Sequence, residues 1–406
     1  FSFKLKNDRD ELYQLSSEFK DVSWLDHDGK PILKGLAGQF KIAPERGSLS
    51  FNAKDFILGE NAVFEKGWPA LKTDGGLQWT QERSQWLVNV RDLKLSNKDI
   101  DFQVNGNLNI PSEHLKKTKV NITSSLKGEN VGKLYARFLP RSELKPKLYT
   151  WLVKNIISVE KLTVTMKMIG VLDEFLYDSP DSEFSIHGKV KNASITPDVG
   201  WPLISEINGE VNFDGPRFTV IANHAKTMGI TLHNGEVVVP NIAVGEPSYI
   251  GIKTTGEANG NQGIEYALHS PLSKELPQFL KYMTYSGKTK LGLNLKFPLD
   301  QPEAKDEVNG FVQFEKGMIY FIPLDISLYN INSDITFDKD DFEIKNLTGW
   351  FDQQAFVSVK STQHLRKMIR HNDEHLKIEG MMPASLFNKW MSKSYQGLLS
   401  GYTAFK

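Results

Sequence analysis

Apolar and polar residues alternate with a period of two through most of this chain, and this alternation constrains its fold more than any other feature. A period of two places successive side chains on opposite faces of an extended strand. In "KLTVTMKMIG", Thr163, Thr165 and Lys167 share one face and the apolar residues share the other. Strands with one apolar and one polar face favour an antiparallel sheet. The clearest apolar sets are Leu162, Val164, Met166 and Met168; Leu291, Leu293, Leu295 and Phe297; Phe102 and Val104; and Phe218 and Val220.

A hairpin-like segment occurs three times, far apart in the chain. The copies are "GWPALKTDGGLQWTQERSQW" from Gly67, "GWPLISEINGEVNFDGPRF" from Gly200 and the looser "FIPLDISLYNINSDITFDKDDF" from Phe321. Turn sequences such as "FDGPRF" and "FDKDDF" are expected to join neighbouring strands. The interval between copies exceeds 100 residues, which is too long for a small solenoid repeat of roughly 20 to 50 residues. It fits a module of several strands and one crossover.

Three short segments that contain proline predict helices. They are "VGKLYARFLPRSELKPKLYTWLVKN", "PLSKELPQFLKYM" and "PASLFNKWM", and each precedes a strand-like segment. In the first, Pro140 interrupts the pattern and Pro146 can open a second helix. These crossings divide the chain into predicted modules at 1–156, 157–283 and 284–406. The closing "SGYTAFK" reads as the start of a strand, so we expect a section of a longer protein.

The predicted helices are too few to cover the apolar face of the predicted sheet. Such a sheet either closes on itself as a sandwich with a filled core or curls into an open trough. Periodicity alone does not separate these possibilities, and by itself it favours the sandwich. Aromatic residues of the hairpins, among them Phe213 and Phe218, fit a binding groove or an ordinary core equally well.

Composition excludes several classes of function. Basic and acidic residues number 49 each, so no net charge favours nucleic acid. The chain has no cysteine, which excludes disulfides and thiol chemistry. It also has no run of about twenty apolar residues that could span a bilayer.

Catalytic and metal-binding motifs are weak in this sequence. "HNDEH" matches H-x-x-E-H with His371, Glu374 and His375, but the stretch is polar and leads into a strand rather than a helix. "YSGKTK" lacks the upstream glycine of a phosphate-binding loop, since Tyr282 occupies that position. "GEANGNQG" is rich in glycine but lacks the dinucleotide-binding spacing, and it predicts a loop. We therefore predict no enzyme, no catalytic residue, no metal and no cofactor.

One long stretch of the sequence resembles a known family. It begins "YARFLPRSELKPKLYTWL" and continues through "MKMIGVLDEFLYDSPDSEFSIHGKVKNASITPDVGWPLISEINGEVNFDGPRF". The order of features is specific: two helices, an alternating strand, an acidic loop, Gly-Trp-Pro-Leu and an Asn-Gly hairpin. This order resembles the central part of the YhdP proteins, large AsmA-like envelope proteins of Gram-negative bacteria related to TamB. The resemblance is best over residues 130 to 300.

The resemblance implies a fold and a function. The implied fold is a repeating β-groove: a mainly β, elongated and twisted antiparallel sheet, curled into a U-shaped hydrophobic groove with a few short helical crossings. The implied function is a segment of a bridge that conducts phospholipids between the inner and outer membranes. The alternative is a structural β-rod of the cell envelope with a filled core and no lipid transport.

Partners and site residues follow from the same resemblance. Phospholipids would lie with their acyl chains in the groove, in the periplasm of a Gram-negative bacterium. An anchor outside this chain would join it to the inner membrane, and proteins of either membrane would be further partners; nucleic acid is not expected. The residues expected to line the groove are Phe102, Val104, Leu162, Val164, Met166, Met168, Phe213, Phe218, Val220, Leu291, Leu293, Leu295 and Phe297.

Overall fold

The computed structural model of the chain describes residues 2–4, 14–27, 29, 31–58, 68–131, 146–174, 181–243, 247–274, 281–299, 303–339, 342–351, 355–360, 377–384 and 401–405. These residues form mostly β-strands, with two short α-helices. The helices are α1 (Pro146–Asn155) and α2 (Gln262–Leu268). The strands are β1 (Ser2–Lys4), β2 (Gln14–Leu25), β3 (Pro31–Ala43), β4 (Arg46–Leu58), β5 (Trp68–Glu82), β6 (Gln85–Ser96), β7 (Ile100–Pro111), β8 (Lys119–Glu129), β9 (Ile156–Val171), β10 (Glu183–Ile195), β11 (Ile204–Asp214), β12 (Arg217–Thr227), β13 (Ile230–Val239), β14 (Ser248–Asn259), β15 (Met283–Leu299), β16 (Glu307–Phe321), β17 (Ile326–Asp338), β18 (Phe342–Phe351), β19 (Ala355–Lys360), β20 (Lys377–Pro383) and β21 (Tyr402–Phe405).

The predicted fold class, a mainly β chain of antiparallel strands with a few short helical crossings, is confirmed. The alternating segments form long strands: "KLTVTMKMIG" lies in β9 and "KLGLNLKF" lies in β15. In β9 the side chains from Lys161 to Met168 alternate between exposed and half-buried, as a strand with one wet face requires.

The chain divides into two compact units. Unit 1 comprises Phe1–Ile195, Glu206–Ile221 and Val238–Ser248, and unit 2 comprises Thr196–Ser205, Ala222–Val237 and Tyr249–Lys406. Within unit 1, strands β1 to β10 pair in chain order, each antiparallel to the next. Within unit 2, strands β15 to β21 pair in the same manner.

The second predicted hairpin is present, and it turns within "FDGPRF" as expected: the chain turns at Gly215 and Pro216 between β11 and β12. Asn208 and Gly209 lie inside β11, so the Asn-Gly pair, although a strong local turn signal, does not form the turn.

The helical crossings agree with the sequence in one case and differ in another. Helix α1 begins at Pro146, as predicted. The second crossing contains α2, which begins at Gln262 inside the glycine-rich stretch that predicts a loop. Of the predicted helix that follows, Pro271–Lys274 forms a 3-10 turn, and residues 275–280 lie outside the described residues. The predicted helix before residue 146 and the one after residue 384 lie outside the described residues.

Three contacts fix α2 in unit 2. The Tyr285 backbone N–H donates to Asn261 Oδ1 just before the helix. The side chain of Gln262 accepts a hydrogen bond from the Asn259 backbone at 2.8 Å. The ring of Tyr266 lies 6.3 Å from that of Trp201, the tryptophan of the second Gly-Trp-Pro segment. That segment therefore packs on the crossing of its own repeat.

The buried core of unit 1 lies on one face of its sheet, toward one end of the strands. Its fully buried members are Ala53, Phe56, Leu71, Ile100 and Leu126. Half-buried side chains pack around this cluster, namely Leu33, Leu36, Ala37, Leu58, Leu95, Phe102, Leu162 and Val164.

Leu71 has no exposed surface, so its truncation tests this core. We expect Leu71→Ala to lower the free energy of unfolding by about 3 kcal/mol, since both burial and packing are lost. Urea denaturation measures the change. The matched control is Leu115→Ala at a side chain that is 67% exposed, where a change within about 0.5 kcal/mol is expected. Equal effects at both positions would contradict the assignment of this core.

Tyr266 gives a pH-dependent test of the α2 crossing. Burial raises the pKa of Tyr266 to about 12 from the usual 10.0. The neutral side chain therefore stabilises the fold fully below pH 10, and this contribution is lost as the pH rises through about 12. We expect Tyr266→Phe, which cannot ionise, to lose less free energy of unfolding over this range than the parent chain. Parallel losses in urea titrations of the two proteins would rule out this role.

Candidate functional site

A row of side chains crosses seven consecutive strands of unit 1 on the face that carries Val164. We call this the inner face of unit 1. Each member of the row lies directly opposite the next in the strand register. Two polar or small residues, Thr73 and Gly188, interrupt an otherwise apolar series. From β4 to β10 the row is Ala53, Thr73, Leu95, Phe102, Leu126, Val164 and Gly188.

Parallel rows bring most of the other predicted residues of unit 1 onto the same face. The row through Val104 and Met166 runs from β6 to β10 as Leu93, Val104, Ser124, Met166 and Ile186. The row through Met168 runs from β5 to β10 as Leu77, Val90, Gly106, Ile122, Met168 and Phe184. Leu162 lies between Gly128 of β8 and Val190 of β10.

The remaining predicted residues of unit 1 flank the β11–β12 turn. The rings of Phe213 and Phe218 have centroids 4.7 Å apart and are tilted by 43°. Val220 follows on β12 and is half-buried like both phenylalanines. The two rings therefore meet in one aromatic pair beside the turn.

Unit 2 has an inner face of the same kind, defined by Leu291, Leu293 and Leu295. Leu291 lies in a row with Val312, Ile335 and Ile344, which spans β15 to β18. Leu293 lies opposite Gly310, which in turn lies opposite Phe337, and Leu295 lies opposite Val308. Phe297 follows on β15 and is half-buried.

Half-burial is the property that all thirteen predicted residues share. None of them is fully buried and none is fully exposed. The next residues on the opposite face, such as Thr163, Thr165 and Asn294, are exposed. A filled sandwich core would bury mid-strand apolar side chains almost completely. In both units the inner face is instead an apolar surface that solvent still reaches.

The opposite, outer face carries cross-strand ion pairs. In unit 1, Lys167 Nζ lies 2.6 Å from a Glu183 carboxylate oxygen, and this hydrogen bond lowers the pKa of Glu183. In unit 2, Lys290 Nζ lies 2.8 Å from Glu315 and lowers the pKa of that carboxyl in the same way. These groups are solvent-exposed, so each pair adds little stability. They identify the face that is adapted to water.

Some inner-face residues were not singled out from the sequence. Leu95, Leu126, Val312 and Ile335 occupy the same rows as the predicted residues, and alternation within their own strands is the signal that could have identified them. Ser124 shares the row of Met166, and alternation in β8 could also have placed it there, since it lies midway between Ile122 and Leu126.

Two other kinds of site are missing from the part of the chain that the structure describes. Among those residues, no three histidine, aspartate or glutamate side chains are grouped as metal ligands. The same residues include no helix that is long and apolar enough to cross a membrane. The "HNDEH" motif at 371–375 lies outside the described residues.

Comparison with known proteins gives one match. The family model described as YhdP protein matches residues 2–406. No curated protein and no solved structure matches the chain. The family match extends through both units, well beyond the stretch from 130 to 300 where the sequence resemblance is best.

A charge placed on the inner face tests whether that face is open. Met166 is half-buried, so an arginine there can extend its guanidinium toward water. We expect Met166→Arg to lower the free energy of unfolding by less than about 2 kcal/mol, close to the outer-face control Thr165→Arg. Leu71→Arg, which confines the charge in the core, should unfold unit 1. If Met166→Arg were as damaging as Leu71→Arg in urea denaturation, the inner face would be a filled core.

Proposed function

Because the chain belongs to the YhdP family, we propose that it is part of a bridge that conducts phospholipids between the inner and outer membranes. The acyl chains would lie against the inner faces, and the headgroups would remain in water. The observation that carries the proposal is the half-burial of most apolar residues in the inner-face rows. Such a surface is too apolar to be left to water and too open to be a closed core.

The length of the rows supports an acyl chain as the guest. Strands are spaced about 4.8 Å apart, so the seven-strand row of unit 1 spans roughly 29 Å. One leaflet of a bilayer contributes roughly half of the 30 Å hydrocarbon core. The row is therefore longer than one extended acyl chain, and a lipid lying along it would contact its half-buried apolar members Leu95, Phe102 and Val164.

The chemistry of the rows supports movement rather than a single tight site. Burial of each methylene group contributes about 0.8 kcal/mol, whichever aliphatic side chain it contacts. Adjacent positions along a row of leucine, valine, methionine and phenylalanine are therefore nearly equivalent. A lipid displaced by one strand exchanges one set of aliphatic contacts for a similar set, and the barrier to sliding stays low.

The charged side chains of the outer face favour a location in an aqueous compartment. The exposed lysine–glutamate pairs suit a compartment filled with water. The proposal places the chain in the periplasm of a Gram-negative envelope, joined to the inner membrane by a segment outside this sequence. It gives the chain no catalytic role.

Lipid content and lipid contact test the proposal together. We expect phospholipid in organic extracts of the purified chain, detected by mass spectrometry. A photo-crosslinking amino acid at Met166 or Leu293 should capture lipid, whereas the same probe at Thr165 or Asn294, their outer-face neighbours, should not. If extracts hold no lipid and no inner-face position captures it, the structural β-rod is the better description.

A further inference from the structure

Three asparagine side chains make the same unusual contact in three separate places. In each case Oδ1 accepts the backbone N–H of a residue on the preceding strand, and that residue has a positive φ. The pairs are Asn105 with Asp92 at 2.6 Å, Asn208 with Asn192 at 3.1 Å, and Asn332 with Lys316 at 3.1 Å. The φ angles of the three donor residues are 44°, 50° and 49°. We call each such pair an asparagine clamp.

Two of the clamped residues, Asp92 and Lys316, belong to β-bulges. Arg91 and Asp92 of β6 together face the single residue Asn105, because Val90 pairs with Gly106 and Leu93 with Val104. In unit 2, Glu315 and Lys316 together face Asn332 by the same logic. A bulge removes one residue from the ladder, and a positive φ is unfavourable for a side chain such as lysine. The asparagine supplies an acceptor for the N–H of the extra residue.

The bulges keep apolar residues on the inner face despite an odd spacing. At each clamp two consecutive side chains are exposed: Arg91 and Asp92, Lys191 and Asn192, or Glu315 and Lys316. The residues just before and just after each exposed pair are three positions apart instead of two, yet neither of them is exposed. They are Val90 and Leu93, Val190 and Ala193, and Phe314 and Gly317. Without the bulge, everything beyond it on that strand would change face.

Two of the asparagines also brace their own strand. Asn208 Nδ2 donates to the Glu206 carbonyl at 3.1 Å, and Asn332 Nδ2 donates to the Asn330 carbonyl at 3.2 Å. Glu206 and Asn330 themselves have positive φ angles of 53° and 52°. One amide side chain therefore holds a left-handed residue on each of two adjacent strands, using both its acceptor and its donor.

A bulge in β2 of unit 1 has no asparagine opposite it. Lys20 and Asp21 of β2 together face Ala37 of β3, and Asp21 has a φ of 57°. The residue after this bulge, Val22, remains 42% exposed. Ala193, just after the clamped Asn192, is 5% exposed.

The bulge of β4, where Lys54 and Asp55 face Lys72, contains no residue with a positive φ, and Phe56 after it is 7% exposed without an asparagine. The comparison therefore concerns strands whose extra or clamped residue has a positive φ.

We propose that Asn105, Asn208 and Asn332 are positioning residues that act from the outer face to fix which side chains reach the inner face. Each holds the alternation of the preceding strand in place across the clamped residue, so that apolar side chains stay on the inner face on both sides of it. The role of these residues in lipid passage rests on the function proposed above. Their effect on strand phase does not.

The absence of cysteine from the chain makes this phase directly measurable. Two reporter variants each introduce a single thiol: Ala193→Cys just beyond the clamped Asn192, and Val190→Cys just before the exposed pair Lys191 and Asn192. We expect Asn208→Ala to raise the rate at which the thiol at position 193 reacts with a charged maleimide by about tenfold, the scale of one lost hydrogen bond. The thiol at position 190 should keep its rate. Asn208→Asp, which retains an acceptor oxygen, should restore most of the protection at position 193.

The control variant is Asn212→Ala on the same strand. Asn212 bonds across to the ring of His187 at 3.0 Å, but it contacts no bulge N–H. Its truncation should leave the reaction rates of both reporter thiols unchanged. Equal acceleration at position 193 by Asn212→Ala and Asn208→Ala would overturn the proposal, and so would an unchanged rate there in Asn208→Ala.

A second clamp separates strand phase from general stability. Asn105→Ala should accelerate the thiol of Leu93→Cys and spare that of Val90→Cys. Equal acceleration before and after the bulge at both clamps would show that the asparagines only stabilise the fold, and the proposal would be wrong. Lipid capture at Met166 is measured in the same proteins. Absence of capture in the parent chain would refute the lipid function, while the thiol reaction rates would still decide the role of the clamps.

Discussion

Backbone pairing between consecutive strands is the interaction on which the rest of this structure depends. In most globular domains a buried core provides the main stabilisation. Here, most side chains of the inner-face rows are half-buried, and the fully buried ones include the cluster around Leu71. The antiparallel ladders satisfy the backbone of each strand through its chain neighbours. That arrangement allows an apolar face to remain accessible without loss of the fold.

The sequence predicted the strands and one helix well, for identifiable reasons. Alternation over eight or more residues defines β9 and β15, because no helix can place such residues on one side. Pro146 marks the start of α1 through its fixed φ and missing N–H. Helix α2 was missed because seven residues beginning beside a glycine-rich turn carry too little periodicity.

The candidate site was predicted as a pattern but not in its detail. The thirteen residues named from the sequence lie on strands and share half-burial, and their role as a lipid-lining surface stays a prediction. In the sequence, two polar residues in succession, such as Lys191 and Asn192, predict that the alternation has ended. They do not show that the strand continues with its apolar face on the same side. The Asn-Gly pair at Asn208 has the same local turn propensity whether it lies in a turn or inside a strand, so the sequence alone indicates a turn there. Only the partner strand reveals that its side chain satisfies a displaced N–H.

The paired charges of the outer face have a consequence for how the molecule meets a membrane. Lysine and glutamate neutralise each other across neighbouring strands, and the chain as a whole has equal numbers of acidic and basic residues. A surface of this kind projects little long-range field, so it neither attracts nor repels an anionic bilayer at a distance. Electrostatic steering would then contribute little to the encounter, and changes in ionic strength would alter it only slightly. If the chain bridges two membranes as proposed, its orientation would come from attachment to them and not from charge.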